Sequence, residues 1–467
     1  MSEVGTESNP LRVAIVGAGP TGFYAAEQLF KQKEYSVQVD MYERLPTPFG
    51  LVRYGVAPDH QKIKSVTKLF DRTAKKPGFR FFGNVEIGKD VSVADLRDYY
   101  HQIVYTTGAQ TDRSLGIPGE NLARSHAATE FVAWYNGHPD FRDCQFDLSV
   151  ERAAVIGVGN VAVDVCRILC RTPEELATTD IADYALEALR ESNIKEVYML
   201  GRRGPAQAAF TTPEIKELGQ LEDADVWVPP EEAELDALSQ EMLAESADRA
   251  TTRKVEIIQS YAKEPPDPKS RRLILRFLVS PVEFIGDEEG GVRAMKLVKN
   301  ELYKTDAGTL RPRHLDEHET LPVDLVFRSI GYRGVRLPGV PFKDSWGVIL
   351  NEEGRVMDPE TGEPVRGEYT AGWIKRGATG VIGTNKPDAA ETVEAMMQDM
   401  AKGAILEPAH PKREAAERMV DEKQPQRFTY DDWLKLDEME VARGEEQGRP
   451  RVKFTSVEEM LDALDRG

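Results

Sequence analysis

Cysteine is scarce: the 467-residue chain has three, Cys144, Cys166 and Cys170, and none stand in a C-x-x-C pair. Three thiols cannot hold a four-cysteine iron–sulfur cluster, so any iron–sulfur chemistry belongs to a partner. Long apolar runs are missing too, with no stretch reaching the roughly 18 residues that mark a membrane-spanning helix. The opening MSEVGTESNPLR has neither a basic flank before an apolar core nor an arginine-rich amphipathic pattern, and no export or organelle signal is visible in it. A cytoplasmic protein is expected. Positive charge is in deficit: 60 Lys and Arg stand against 79 Asp and Glu, a formal net charge of −19. Nucleic acid, whose phosphates demand clustered basic residues, is a poor partner for such a chain. No His, Cys or carboxylate spacing matches a metal-ligand motif, and no metal is expected.

What is present is enough to bury sizeable cores. The length predicts two or three domains, and 40% hydrophobic with 30% charged residues describes a soluble globular chain. Charge is unevenly spread. Residues 60–80 hold Lys62, Lys64, Lys68, Arg72, Lys75, Lys76 and Arg80 against Asp71 alone, whereas residues 221–264 hold twelve acids against four bases. The basic stretch is either a docking face for an acidic partner or an ordinary solvated helix face.

LRVAIVGAGPTGFYAAEQLF begins as a strand, passes through Gly17-x-Gly19-x-x-Gly22, and continues as a helix. Gly17 permits the tight turn, Gly19 lets a pyrophosphate approach the backbone, and Gly22 lets helix pack on strand. The helix N-terminus then faces the phosphates. VQVDMYE supplies a second strand ending in Glu43, 24 residues after Gly19, near the spacing of a ribose-binding acid. The pattern recurs. ERAAVIGVGNVAVDVCRIL carries Gly157-x-Gly159-x-x-Ala162, and its matching second strand, EVYML, ends in Gly201, Arg202 and Arg203. An acid there would hydrogen-bond a free ribose and repel a 2′-phosphate; planar guanidinium groups do the reverse. FAD for the first site and NADP for the second are the natural pair.

Two such fingerprints describe a flavoprotein that takes hydride from a nicotinamide. The fold expected is α/β, with two Rossmann-like dinucleotide-binding domains. IVYTTGAQ (103–110) reads as the chain leaving the FAD domain and LPVDLVFRSIGYRG (321–334) as its return. The NADP domain, 109–324, is thus inserted in an FAD domain made of 1–108 and 325–467, the latter part carrying a C-terminal extension.

The blocks GLVRYGVAPDHQKIK (50–64), LGRRGPAQAAFTTPE (200–214) and GWIKRGATGVIGTNKPDAAETV (372–393) are long and unusual. On them the chain resembles bacterial members of the adrenodoxin reductase type of ferredoxin–NADP reductase, from about residue 10 onward. The resemblance implies an FAD enzyme moving electrons between NADPH and a small acidic ferredoxin, [2Fe–2S] or similar. It implies FAD contacts at Ala18, Glu43, Leu51, Val85, Trp373, Gly380, Val381 and Ile382. NADP contacts are implied at Arg113, Gly159, Asn160, Val161, Ala162, Arg202, Arg203, Glu214 and Gly380. His60 and Glu214 are placed near the reacting rings. From the residues alone, His60 is a proton-managing imidazole or a histidine satisfied by its turn, and Glu214 is a helix-start glutamate or a nicotinamide contact. The wider two-dinucleotide flavoproteins have Gly-Asp where this chain has Gly372-Trp373. Lys62, Lys64, Lys68, Arg72, Lys375 and Arg376 are candidates for the docking face.

Other readings remain. A broad-acceptor NADPH dehydrogenase acting on quinones is compatible with the same motifs. An electron-input subunit of a larger redox complex, like that of glutamate synthase, expects cysteine-rich cluster segments that this sequence lacks. Cys166 and Cys170, four apart on a helix, are expected to pack together without redox function. At the C-terminus RVKFTSVEEMLDALDRG predicts a short helix docked on the FAD domain, and for 408–428 a disordered tail is the alternative reading.

Overall fold

A computed structural model of the chain describes residues 3–246, 248–263 and 268–466. The run Leu11–Val16, apolar but for Arg12, is a strand with every residue buried, as a strand covered on both faces requires. It pairs in parallel with Val37–Tyr42 on one side and Gln102–Tyr105 on the other. Phe79–Phe82 and Pro364–Thr370 extend the sheet, again in parallel. Two short antiparallel strands, Asn351–Glu352 and Arg355–Met357, complete seven. Segments from both ends of the chain therefore share one sheet.

The second sheet has six parallel strands in the order Ser125–Ala127, Leu325–Arg328, Arg152–Ile156, Glu196–Leu200, Arg271–Arg276, Ala224–Trp227. In both sheets the strand that feeds a glycine fingerprint lies between its own second strand and a later one. The architecture is a mixed α/β fold with two dinucleotide-binding units. The two segments that cross between the sheets pair with each other, Thr111–Asp112 running antiparallel to Tyr332–Arg333. An antiparallel meander of Val279–Gly286, Val292–Lys304 and Leu310–Pro322, not resolved by sequence reading, packs on the second sheet. Phe284, Met295, Leu297 and Leu321 meet Ala154 and Ile156 there.

In the C-terminal extension the disordered-tail alternative for 408–428 does not hold, and the contacts reach beyond the first domain. Within 408–428, Arg413–Lys423 is a helix whose Ala416, Met419 and Val420 enter the core of the first domain. Three apolar residues at helical spacing suffice to dock a segment whose composition is otherwise that of a tail. The helix Tyr430–Glu446, opened by a reciprocal Thr429–Asp432 cap, buries Trp433 and Leu436, and Val457–Asp462 buries Met460. The extension also grips the second domain. Arg449 Nε donates to Thr179 O at 2.8 Å, and Lys453 Nζ donates to Asn136 O at 3.0 Å and lies 3.4 Å from Asp180. It is a strap across both domains, because these basic residues follow the long helix just where it reaches residues 136–183. Among the described residues no helix is long and apolar enough to cross a membrane.

The strap is tied down where Arg53 Nη1 donates to Glu440 Oε2 at 2.8 Å, with Phe454 N donating to the other carboxylate oxygen at 2.9 Å. Glu440 is wholly buried. Breaking one side of a buried pair leaves an uncompensated charge, so Glu440→Ala is expected to cost about 3–5 kcal/mol. A lowered urea midpoint of the flavin-loaded protein would show it; an unchanged midpoint would mean the strap does not hold the fold.

Candidate active site

Each fingerprint glycine meets a different constraint. Gly17 has φ +111°, and a Cβ there would lie 2.7 Å from Thr106 O; one at Gly22 would lie 2.2 Å from Gly17 O. A Cβ at Gly19 would meet no protein atom within 4 Å. The second site repeats this. Gly157 has φ +130° and would place a Cβ 2.1 Å from Ser329 O, while Gly159 again has nothing within 4 Å. The first glycine of each pair is thus required by the protein itself, and the middle one borders open space at a helix N-terminus: Pro20–Leu29 in the first domain, Asn160–Cys170 in the second. That is room for a pyrophosphate on the positive end of a helix.

Around the first fingerprint, Glu43 accepts from Ala18 N at 3.0 Å and Leu45 N at 3.2 Å, which ties the end of the second strand to the glycine turn. Burial raises its carboxyl above the usual range against those hydrogen bonds. Val85 N donates to Glu43 O, and Phe49 N donates to Ala18 O. Phe49 has φ +84°, costly for a bulky residue, and its ring is held against Phe23, Phe70 and Trp433. Gly50 then abuts Gly19, and Leu51 follows with its side chain partly exposed. From the far strand, Gly372 N donates to Asp388. Trp373 stacks on Tyr332 with centroids 5.6 Å apart, and its Nε1 donates to Thr379 O in the turn before Gly380, Val381 and Ile382. Val381 is 51% exposed, an apolar side chain left open beside a glycine-rich turn.

Around the second, Asn160 Oδ1 accepts from Thr211 N at 2.9 Å, and Ala162 is buried under the helix while Val161 is half-buried. Arg202 is exposed and Arg203 half-buried. Among the described residues neither has a carboxylate partner. Burial, and then the charge of Arg202, holds the Arg203 guanidinium below its ordinary pKa. Two like charges left without an acid are what an incoming phosphate relieves. Arg113 is exposed, anchored through its backbone to Gly331 O at 3.1 Å.

Between the domains lies a cluster that sequence reading saw only in part. Arg167, with no exposed side-chain surface, donates to Asp59 at 2.7 and 3.0 Å, to Asp164 at 2.7 Å and to Glu214 at 3.3 Å. Arg171 Nε reaches the same Asp59 at 2.8 Å. His60 Nε2 is 2.9 Å from Glu217 Oε2, and its Nδ1 faces Arg167 Nη2 at 3.5 Å and Asp164 at 3.9 Å. Burial pushes Asp59 up, but hydrogen bonds and charge from Arg167 and Arg171 override it and hold the carboxyl at about 2. Asp164 is raised by burial, and Glu214 by burial and then by the charge of Asp164. His60 and Glu214, 154 positions apart, are brought together here, and Asp59, Asp164, Arg167 and Glu217 join them.

The basic residues are not all on the surface. Lys64 is buried and donates to both oxygens of Asp180 at 2.7 and 2.8 Å, so its charge is spent inside the protein. Lys375 is also largely covered, paired with Asp388 and Glu391 at 3.2 and 2.8 Å, and Arg376 is held by Thr379 and Asn385. Lys62 and Lys68 stay exposed, and so does Arg72.

The model of the family described as "Pyridine nucleotide-disulphide oxidoreductase" matches residues 11–200. Over 456 residues the chain is 48% identical to NADPH-ferredoxin reductase FprA of Mycobacterium leprae, covering 96% of this chain and 97% of that one. It is 40% identical to the human mitochondrial NADPH:adrenodoxin oxidoreductase, covering 98% and 93%. A solved structure described as Mycobacterium tuberculosis FprA in complex with NADPH superimposes with a TM-score of 0.90 at 45% identity, covering 98% of this chain and all of that one. The chain belongs to the adrenodoxin reductase type of ferredoxin–NADP reductase. Glu43 directly follows the second strand of the first fold, and Arg202 and Arg203 follow that of the second after Gly201.

Cys166 and Cys170 are buried in the second domain's core with unbonded sulfurs, and burial pushes the Cys170 thiol up to about 12. Thiolate chemistry is therefore closed to it. Arg167 and Asp164 lay within the second fingerprint helix. A fully charged pair at i, i+3 in an otherwise apolar helix is the one signal that pointed inward.

The two glycine roles separate experimentally. Gly159→Ala is expected to keep its melting temperature while weakening NADPH binding, since the methyl group fills ligand space. Gly157→Ala is expected to lose at least about 2 kcal/mol of stability through backbone strain. Thermal melts with and without NADPH measure both; equal destabilisation by the two variants would contradict the assignment.

Proposed function

We propose that this chain is an FAD-dependent reductase that carries electrons from NADPH to a small acidic ferredoxin. The observation that carries the reading is the contrast between Glu43 in the first fold and Arg202 with Arg203 in the second. An acid favours the unphosphorylated adenosine ribose of FAD, and two unpartnered arginines favour the 2′-phosphate of NADPH. The FAD domain is taken as 1–108 with 325–467, and the NADP domain as 109–324.

FAD would rest on Gly17, Ala18, Gly19 and Gly22, with Glu43, beside Val85, toward its adenosine ribose, Leu51 and Trp373 as further contacts, and Gly380, Val381 and Ile382 toward its ring. Asn160, Val161 and Ala162 with Gly159 would take the NADPH pyrophosphate, with Arg113 at its edge. The flavin, when bound, supplies the conversion of hydride delivery into single-electron transfer. The protein's part is alignment and charge. Arg167 fixes Asp164 and Glu214 from one side, so Glu214 can present an oxygen to a nicotinamide amide. Glu217 accepts from His60 Nε2, which turns Nδ1 toward Arg167 and Asp164 and orients the imidazole between the domains. The stack of Trp373 on Tyr332 closes the site toward the interdomain linkers.

Exposure supports Lys62, Lys68 and Arg72 as the docking face of this reading, whereas Lys64 and Lys375 are paired with acids inside the protein. Three unpaired cysteines accord with a cytoplasmic setting. Cytochrome c reduction by NADPH, with and without [2Fe–2S] ferredoxin, at low and high salt, tests the reading. A ferredoxin-dependent rate suppressed by salt is expected. Fast quinone reduction with no response to ferredoxin would establish the broad-acceptor dehydrogenase instead.

The coenzyme assignment has its own test. Charge-assisted hydrogen bonds contribute about 1.5–3 kcal/mol each. Arg202→Ala with Arg203→Ala is therefore expected to raise the KM for NADPH at least about tenfold, leaving kcat and the KM for NADH near wild type. An equal rise for both coenzymes would remove the arginines from the 2′-phosphate.

A further inference from the structure

The cluster between the domains carries more negative charge than its arginines balance. Asp59, Asp164, Glu214, Glu217 and Glu175 surround Arg167 and Arg171, five carboxylates against two guanidinium groups. Within it, one ligand atom each from His60, Glu214 and Glu217 lies within 4.8 Å of the others. Glu214 and Glu217 are three apart on the helix Thr212–Leu218 and so share a face, while His60 comes from the other domain. The Tyr135 hydroxyl, fully buried and without a hydrogen-bond partner, sits in the field of Asp164 and Arg167. A surface cleft lined by Pro58, Asp59, Gln61, Arg171 and Glu175 borders the cluster.

We propose that His60, Glu214 and Glu217 form a divalent transition-metal site, best suited to Zn²⁺, that clamps the two domains together and shuts out the nicotinamide. One imidazole and two carboxylates with a water in the fourth position match tetrahedral zinc, whose ligands stand about 2.0–2.2 Å from the ion. The ligand atoms need to draw in by about an ångström, which the Glu217 side chain, 41% exposed, is free to do. Arg167 makes its shorter bonds, 2.7–3.0 Å, to Asp59 and Asp164, and its longer one, 3.3 Å, to Glu214, so a cation has to displace only that weakest contact. Glu214 is the shared element: bound to zinc, it is no longer available to the nicotinamide amide. The competition rests on the placement of the nicotinamide at Glu214; the metal site itself rests on the three side chains.

Equilibrium dialysis of the flavin-loaded protein against Zn²⁺ reads the site directly, and Co²⁺ in its place gives visible bands to the red of the flavin when tetrahedral. One zinc per chain is expected, displaced by NADPH, with affinity at least about tenfold weaker in both Glu217→Gln and His60→Gln. NADPH-driven ferricyanide reduction should be inhibited by Zn²⁺ competitively with NADPH and restored by a chelator, each variant being compared with its own zinc-free rate. Zinc binding unaltered in both variants would overturn the site. Binding that weakens in the variants but is indifferent to NADPH would uphold the metal site and remove the nicotinamide from Glu214.

Discussion

A guanidinium group with no exposed surface, that of Arg167, sits where the two dinucleotide-binding folds meet, and the carboxylates of both converge on it. An isolated buried charge costs several kcal/mol, so Arg167 must be met by carboxylates wherever the domains settle. Asp59 comes from the first domain, and Asp164 and Glu214 from the second. Satisfying Arg167 therefore fixes the approach of one dinucleotide-binding fold to the other. The same demand brings His60 beside Asp164 and Glu217.

The two folds are built alike and diverge where it matters for selectivity. Each has a first glycine that the backbone itself requires and a middle glycine that borders empty space. One second strand closes on a glutamate tied back to its own glycine turn, the other on two arginines that have no carboxylate partner among the described residues. In the function proposed above, that exchange distinguishes a hydroxyl-bearing ribose from a phosphate-bearing one. The strap adds a third constraint: Glu440 and Lys453 anchor in opposite domains from one short stretch, so the cleft between them is spanned on its outer side as well as through the linkers. A buried ion pair of that kind contributes geometry more than net stability.

Much of this could be read from the chain before any coordinates. The two fingerprints, the strands feeding them, the charges that end the second strands and the inserted order of the domains are local patterns, each set by neighbours within a few dozen residues. Packing of Cys166 with Cys170 followed from helical spacing alone. Lys64, by contrast, reads as one more surface lysine among seven basic residues, and its burial against Asp180 depends on a partner 116 positions away. The helix at Arg413–Lys423 was hidden by composition, because its three core residues are diluted by charge.

Residue identity by itself determined which two nucleotides the protein is suited to hold, since the discrimination lies in side-chain chemistry at the end of a strand. Only the tertiary structure decided how those nucleotides would meet. The partners of Arg167 lie 108 and 47 positions away, and Arg53 finds Glu440 across 387. Contacts at such separations are selected by the packing of whole domains and by the penalty on unpaired buried charge, and neither leaves a periodic trace in the sequence.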